Sequence, residues 1–172
     1  MEIVLQPYQE PNYSDFRRLF GAYFAEVVQP LPEERLVHVL EAILADLAQF
    51  RMSLSLLFVD GEAAGFSLAQ IDTTDNPWCI RPGWGFVREF YVAPAWRLHG
   101  LGRRLWLHTA AFFRRQHAPA AYLTAEPDKG GPFWERMGFA ATDEICARNE
   151  LPIYVCADPA AGKGASRGGG GL

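Results

Sequence analysis

The chain has 172 residues, 49% of them apolar, 21% charged and 13% aromatic, with a formal net charge of −4. This balance lies close to the globular average and excludes a wholly disordered, collagen-like or coiled-coil chain. The longest run free of Asp, Glu, Lys and Arg is ten residues, Gln116 to Ala125, about half of what a bilayer helix needs, so no membrane partner is expected.

In chain order, Ile3–Gln6 reads as a strand and residues 12–28 as a helix, with Phe16, Leu19, Phe20, Tyr23, Phe24 and Val27 at helical spacing. Pro30 and Pro32 end it, and Pro32 suits the start of a second helix over residues 33–49. Its apolar face is Leu36, Val39, Leu40, Ile43, Leu44 and Leu47. Residues 53–59 and 63–71 are strand-like, and Asp60-Gly61 between them is a hairpin signal. A polar loop from Asp72 to Gly83 precedes a third strand, Trp84–Val92, which Pro94 terminates. Gly100 to His117 reads as a helix with Leu101, Leu105, Thr109 and Phe112 inward. A strand over residues 120–124, a helix over 131–137, a strand starting at Gly138-Phe139 and a strand over 153–156 follow. The fold class is therefore a mixed α/β (α+β) sheet and not a regular alternation of strand and helix.

Residues 1–158 read as one domain, and residues 159–172, holding six of the sixteen glycines, as a disordered tail. No basic-then-apolar block opens the chain, so no secretory signal is expected. Cys79, Cys146 and Cys156 are sparse and lack metal-ligand spacing, which fits a reduced, cytoplasmic protein with no metal.

Charge is unevenly spread: residues 1–76 carry 4 basic and 12 acidic side chains, and residues 77–172 carry 12 and 8. Five arginines and no acid fall between Arg97 and Arg115. An acidic chain with one local cationic segment suits a small anionic ligand better than a nucleic acid, which is not expected as a partner.

That segment is Glu89-Phe-Tyr-Val-Ala-Pro-Ala-Trp-Arg-Leu-His-Gly-Leu-Gly-Arg-Arg-Leu105. A strand runs through a proline into a loop with glycines two apart and then into an amphipathic helix. Such a loop lets backbone N–H groups approach an anion, with the free donors of the helix's first turn behind them. The Gly-x-Gly alone equally fits a tight turn with surface arginines. A nucleoside-triphosphate loop is excluded by the missing Gly-Lys-Ser/Thr, and the third glycine of a dinucleotide fingerprint is absent.

Val92-x-Pro94-x-x-Arg97-x-x-Gly100-x-Gly102 resembles the acyl-CoA signature of the GNAT superfamily of N-acetyltransferases, and Phe133-Trp-Glu-Arg-Met-Gly-Phe139 resembles that family's second block. Over residues 1–157 the order of elements resembles the family as well. The resemblance implies a twisted, mostly antiparallel sheet flanked by helices, with a strand splay that holds CoA. Leu98, His99, Gly100, Leu101, Gly102 and Arg103 would bind the pyrophosphate, with Arg97 at its edge and Arg104 beside it. Tyr91 and Val92 would hold the pantetheine arm through main-chain hydrogen bonds, and a main-chain N–H near Val92 would stabilise the thioester oxyanion. Of the two helical arginine pairs, Arg103 and Arg104 are the better placed for CoA phosphates; Arg114 and Arg115 lie ~16 Å along the axis.

The implied reaction is acetyl transfer from acetyl-CoA to a primary amine by direct attack within a ternary complex, without a metal. The acceptor would be a small molecule or a peptide, and a homodimer is compatible with the family. An alkylamine with a pKa of about 10.4 is about one part in a thousand neutral at pH 7.4, a cost near 4 kcal/mol, so a general base matters. Glu89 is the first candidate, three residues before Val92 and on one strand face with Tyr91; Glu126, just after the next strand, is the second. Where many members of the family carry a tyrosine proposed to protonate the thiolate, this chain has Trp134. Indole cannot serve in that way, so Tyr91 and Tyr122 are candidate substitutes. A catalytically silent CoA-binding module of the same fold is the alternative. Trp78, Trp84 and Trp96 flank the motif as candidate pocket walls or as rim packing, and the four histidines read as structural or surface residues.

Overall fold

The computed structural model describes residues 1–76 and 79–159. The glycine-rich segment expected to be disordered lies, beyond Pro159, outside the described residues, as does Trp78.

The elements are β1 (Ile3–Pro7), α1 (Tyr13–Val27), α2 (Glu33–Gln49), β2 (Met52–Val59), β3 (Glu62–Ile71), β4 (Gly85–Val92), α3 (Leu101–Arg115), β5 (Ala121–Thr124), α4 (Gly131–Arg136), β6 (Ala140–Ile145) and β7 (Pro152–Cys156). Short 3-10 turns precede α1 and follow β4. The expected order of strands and helices is the order observed. Where bounds move, they move by a residue or two, as at β6, which starts after Gly138 in a positive-φ conformation.

The strands form one seven-stranded sheet in the order β1-β2-β3-β4-β5-β7-β6. All neighbours are antiparallel except β4 and β5. At the β2–β3 hairpin, Asp60 and Gly61 take φ of 49° and 83°, the pair of left-handed residues that matches the twist of a two-residue turn.

Two cores lie on opposite faces of this sheet. On one, α1 and α2 bury Phe16, Leu19, Phe20, Leu36, Leu40 and Ile43 against Leu54, Leu56, Phe66 and Leu68. On the other, α3 and α4 bring Trp106, Phe113 and Trp134 onto Ala69, Val87 and Leu123. The helical periodicities predict these faces with one exception: Val27, in the last turn of α1, is about half exposed. Among the described residues no helix is long and apolar enough to cross a membrane.

Candidate active site

The sheet opens between β4 and β5. These parallel strands pair only at Gly85 with Ala121 and at Phe86 with Tyr122, while β4 continues to Val92 and β5 ends at Thr124. Beyond the paired end, the polar backbone of β4 faces a gap between strands, a place where an extended ligand can join the sheet as a strand would. A bulge adds to the geometry: Leu68 faces Glu89 but Ala69 faces Val87, leaving Arg88 as the extra residue. Simple alternation would put Arg88 and Glu89 on opposite faces. With the bulge, both turn toward α1 and α2, where Arg88 meets Asp46 at 3.2 Å and Glu89 meets Tyr23.

Downstream of β4, the chain turns through the Gly-x-Gly loop into α3. Leu98 and Gly100 have φ of 65° and 75°, alternating with ordinary backbone in the manner of an anion-binding nest. Gly100 is the N-cap of α3 and supplies no side-chain cap. Among the described residues, the backbone N–H groups from Leu98 to Arg103 have no hydrogen-bond acceptor, and the first amide of this stretch to find one is that of Arg104, 3.2 Å from the Gly100 carbonyl. Gly102 is packed under the ring of Phe133, which a Cβ would meet at 3.0 Å. The two sequence motifs therefore meet here: α4 backs the loop from which the donors project. Arg103 and Arg104 are exposed, as are His99 and the whole Leu98 side chain.

Arg97 does something the spacing did not show. Its Nε donates to the Val92 carbonyl at 2.8 Å, and its Nη2 lies 2.8 Å from the Glu26 carboxylate of α1. Its guanidinium carbon sits 5.6 Å from the centre of the Tyr91 ring.

Glu89 is partly buried and accepts a short hydrogen bond from the Tyr23 hydroxyl. Burial pushes its carboxyl up from 4.5 to about 7, against the opposing pull of the Tyr23 hydroxyl and the charge of Arg88. Burial and the neighbouring carboxylate drive the Tyr23 phenol far above its ordinary range. The Tyr23 and Tyr91 rings meet edge to face at 5.9 Å, and the Tyr91 hydroxyl lies 3.3 Å from Glu26. Helix α1 thus contributes Tyr23 and Glu26 to the same cluster as Glu89, Tyr91 and Arg97. Periodicity identified Tyr23 only as part of an apolar face, and nothing local singled out Glu26; both contacts span more than sixty residues of chain.

The other candidates go elsewhere. Glu126 pairs with exposed Lys129 at 2.8 Å, and its carbonyl accepts the Gly131 N–H at the start of α4. Trp134 is buried among Phe90, Trp106, Phe133 and Phe139, with ring centres 4.9–5.7 Å away. Tyr122 is fully buried and its hydroxyl bonds Asp72. Asp72 itself, 1% exposed, also accepts from Gln70 and from the Ile80 and Arg81 amides, pinning the base of the loop that follows β3. Trp84 lies under Arg81, and Trp96 packs with Leu57, Val59, Leu101 and Leu105.

A sequence model of the acetyltransferase (GNAT) family matches residues 13–139. The chain belongs to that family. Solved structures of the same fold include a GNAT acetyltransferase from Staphylococcus aureus Mu50, with TM-score 0.71 and 12% identity over 90% of this chain and 98% of that one. PaiA N-acetyltransferase from Thermoplasma acidophilum, solved with coenzyme A, has TM-score 0.67 and 14% identity over 91% and 99%. AAC(6')-Iy, solved with a bisubstrate analogue of CoA and acetylneamine, has TM-score 0.69 and 17% identity over 85% and 96%. No curated protein matches the chain.

Proposed function

We propose that this protein transfers an acetyl group from acetyl-CoA to a primary amine by direct attack in a ternary complex. The observation that carries the reading is the conjunction of two features at one end of β4. One is a row of unpaired amides from Leu98 to Arg103 in a left-handed nest, flanked by exposed Arg103 and Arg104. The other is Glu89, a carboxyl poised near neutrality. The amides suit a pyrophosphate, each charge-assisted hydrogen bond being worth about 1.5–3 kcal/mol. The strand gap suits the pantetheine arm, with the backbone of Tyr91 and Val92 as its partners. The Val92 carbonyl already accepts a hydrogen bond from Arg97, so that side chain shifts or shares when the arm enters.

Glu89 is then the general base. A carboxyl titrating near 7 is ionised in about half of the molecules at neutral pH and is basic enough to draw a proton from an ammonium. A neutral amine attacks the thioester carbon and a main-chain N–H near Val92 steadies the oxyanion; the C–S bond then breaks, the thiolate leaves with its electron pair, and the new amide nitrogen releases its surplus proton to water. Thiolate departure needs no tyrosine, since a thiol of pKa about 8.5 is a competent leaving group unprotonated. The burial of Trp134 in an aromatic cluster gives that position a packing role, so its departure from the usual tyrosine does not by itself favour a silent module. Structures of this fold have been solved with coenzyme A and with a bisubstrate analogue that contains it, which supports the choice of cosubstrate.

Thermal denaturation with and without acetyl-CoA, followed by thiol release with a panel of amines, tests the reading. Stabilisation and amine-dependent thiol release are expected; no stabilisation at millimolar acetyl-CoA overturns it.

A further inference from the structure

We propose that Glu26 and the face of Tyr91 form a subsite for a second positive charge on the acceptor, and that Arg97 fills it until the cofactor binds. This rests on the acyltransferase reading above and narrows the acceptor to an amine with another cationic group at a distance.

The guanidinium of Arg97 is itself the evidence for what the subsite takes. It is held by a carboxylate at 2.8 Å on one side and by an aromatic ring at 5.6 Å on the other. That pairing of anion and π-face is the general chemistry of cation recognition. The Tyr91 hydroxyl, 3.3 Å from the same carboxylate, steadies the arrangement. Arg97 stands at the entrance to the phosphate cradle and also sits on the Val92 carbonyl that the pantetheine arm would use. A pyrophosphate in the cradle offers it a doubly charged, bidentate partner in place of a half-exposed carboxylate. Once Arg97 turns to the phosphates, Glu26 keeps one neutral hydrogen bond and has no cation.

The position of the subsite sets the shape of its occupant. Tyr23 and Tyr91 touch edge to face; the first hydroxyl reaches Glu89 and the second reaches Glu26. Each carboxylate is therefore held by one hydroxyl of a tyrosine pair whose ring centres are 5.9 Å apart. An acceptor lying along this pair places its reacting nitrogen by Glu89 and its second charge by Glu26. Helices α1 and α2 together carry six carboxylates against Arg17, Arg18 and Arg35, a net negative charge that favours cations on this face.

Calorimetric titration of butane-1,4-diamine and butylamine, and of hexane-1,6-diamine and hexylamine, into the CoA-saturated protein tests the proposal. At least one diamine is expected to bind about tenfold more tightly than its monoamine. In Glu26→Gln the preference is expected to fall to near unity, with the heat of CoA binding showing that the variant is folded. Without CoA the wild type is expected to bind diamines weakly, and Arg97→Ala to bind them several-fold better. Diamines no tighter than monoamines, a preference that survives Glu26→Gln, or no amine binding to CoA-loaded protein would each overturn the subsite. Failure to bind CoA at all would instead overturn the acyltransferase reading, and the subsite with it.

Discussion

Glu89 carries the most consequential shift in the molecule, and its sign can be followed through both activity and stability. Its folded-state pKa, about 7, lies above the ordinary 4.5 because burial penalises the charged form. As the proposed general base it would be active when ionised, so kcat/KM should climb with pH through about 7 on an amine acceptor. Glu89→Gln should remove that limb and lower kcat by about 10²–10⁴, read from pH–rate profiles of the two proteins on one substrate. Stability runs the other way: the part linked to Glu89 is complete below about 4.5 and is lost as pH rises through about 7. Glu89→Gln should therefore flatten the decline of Tm across that window. Tyr23 adjusts the same group, because its hydroxyl stabilises the carboxylate form. Tyr23→Phe removes a hydrogen bond to a charged group and should move the kinetic limb to higher pH by about one unit, equivalent to about 1.4 kcal/mol. An unmoved limb would mean that Tyr23 packs against Glu89 without tuning it.

At the scale of elements, most of the plan was legible because each helix and strand carries its own period. Phe16, Leu19 and Phe20 in α1 and Leu36, Leu40 and Ile43 in α2 recur at helical spacing and are buried where that spacing puts them. The turn at Asp60-Gly61 and the nest around Gly100 announce themselves through residues that tolerate positive φ. The bulge at Arg88 left no such mark, since an extra residue in a strand that reads Gly-Phe-Val-Arg-Glu-Phe-Tyr-Val changes register without changing composition. The partners of Glu89 and Arg97 were equally hidden: Tyr23 and Glu26 come from α1, 66 and 71 residues away, and only tertiary packing joins them. Trp134 shows why a motif position cannot be given a role from its neighbours in sequence. Its environment of Phe90, Trp106, Phe133 and Phe139 makes it a keystone between α3, α4 and β4. Trp134→Ala should accordingly cost about 3–5 kcal/mol in denaturant unfolding, while the rising pH limb stays near 7 in the folded fraction.

Across the whole molecule, the uneven charge seen in the sequence becomes a division of labour about β4. The acidic half supplies α1 and α2 on one face, and the basic half supplies the nest and the first turn of α3 at the sheet opening. Of the ion pairs that cross between elements, Arg17 with Glu33 and Arg81 with Glu144 have at least one partner well exposed, and Arg88 with Asp46 is the more buried one. Exposed pairs of this kind contribute about 0–1 kcal/mol each, so the fold depends mainly on the two apolar cores. Ligand binding is a different matter. Arg103 and Arg104 are exposed cations without an ion-pair partner among the described residues, and the proposed function sets them against the phosphates of the cosubstrate. The Debye length shrinks from about 10 Å at 0.1 M salt to about 3 Å at 1 M. Over that range KM for acetyl-CoA should rise several-fold while Tm moves little. Arg103→Ala with Arg104→Ala should reduce most of that salt dependence, because it removes the charges being screened. A Tm that falls in step with acetyl-CoA affinity would place the electrostatics in the fold and not in the cradle.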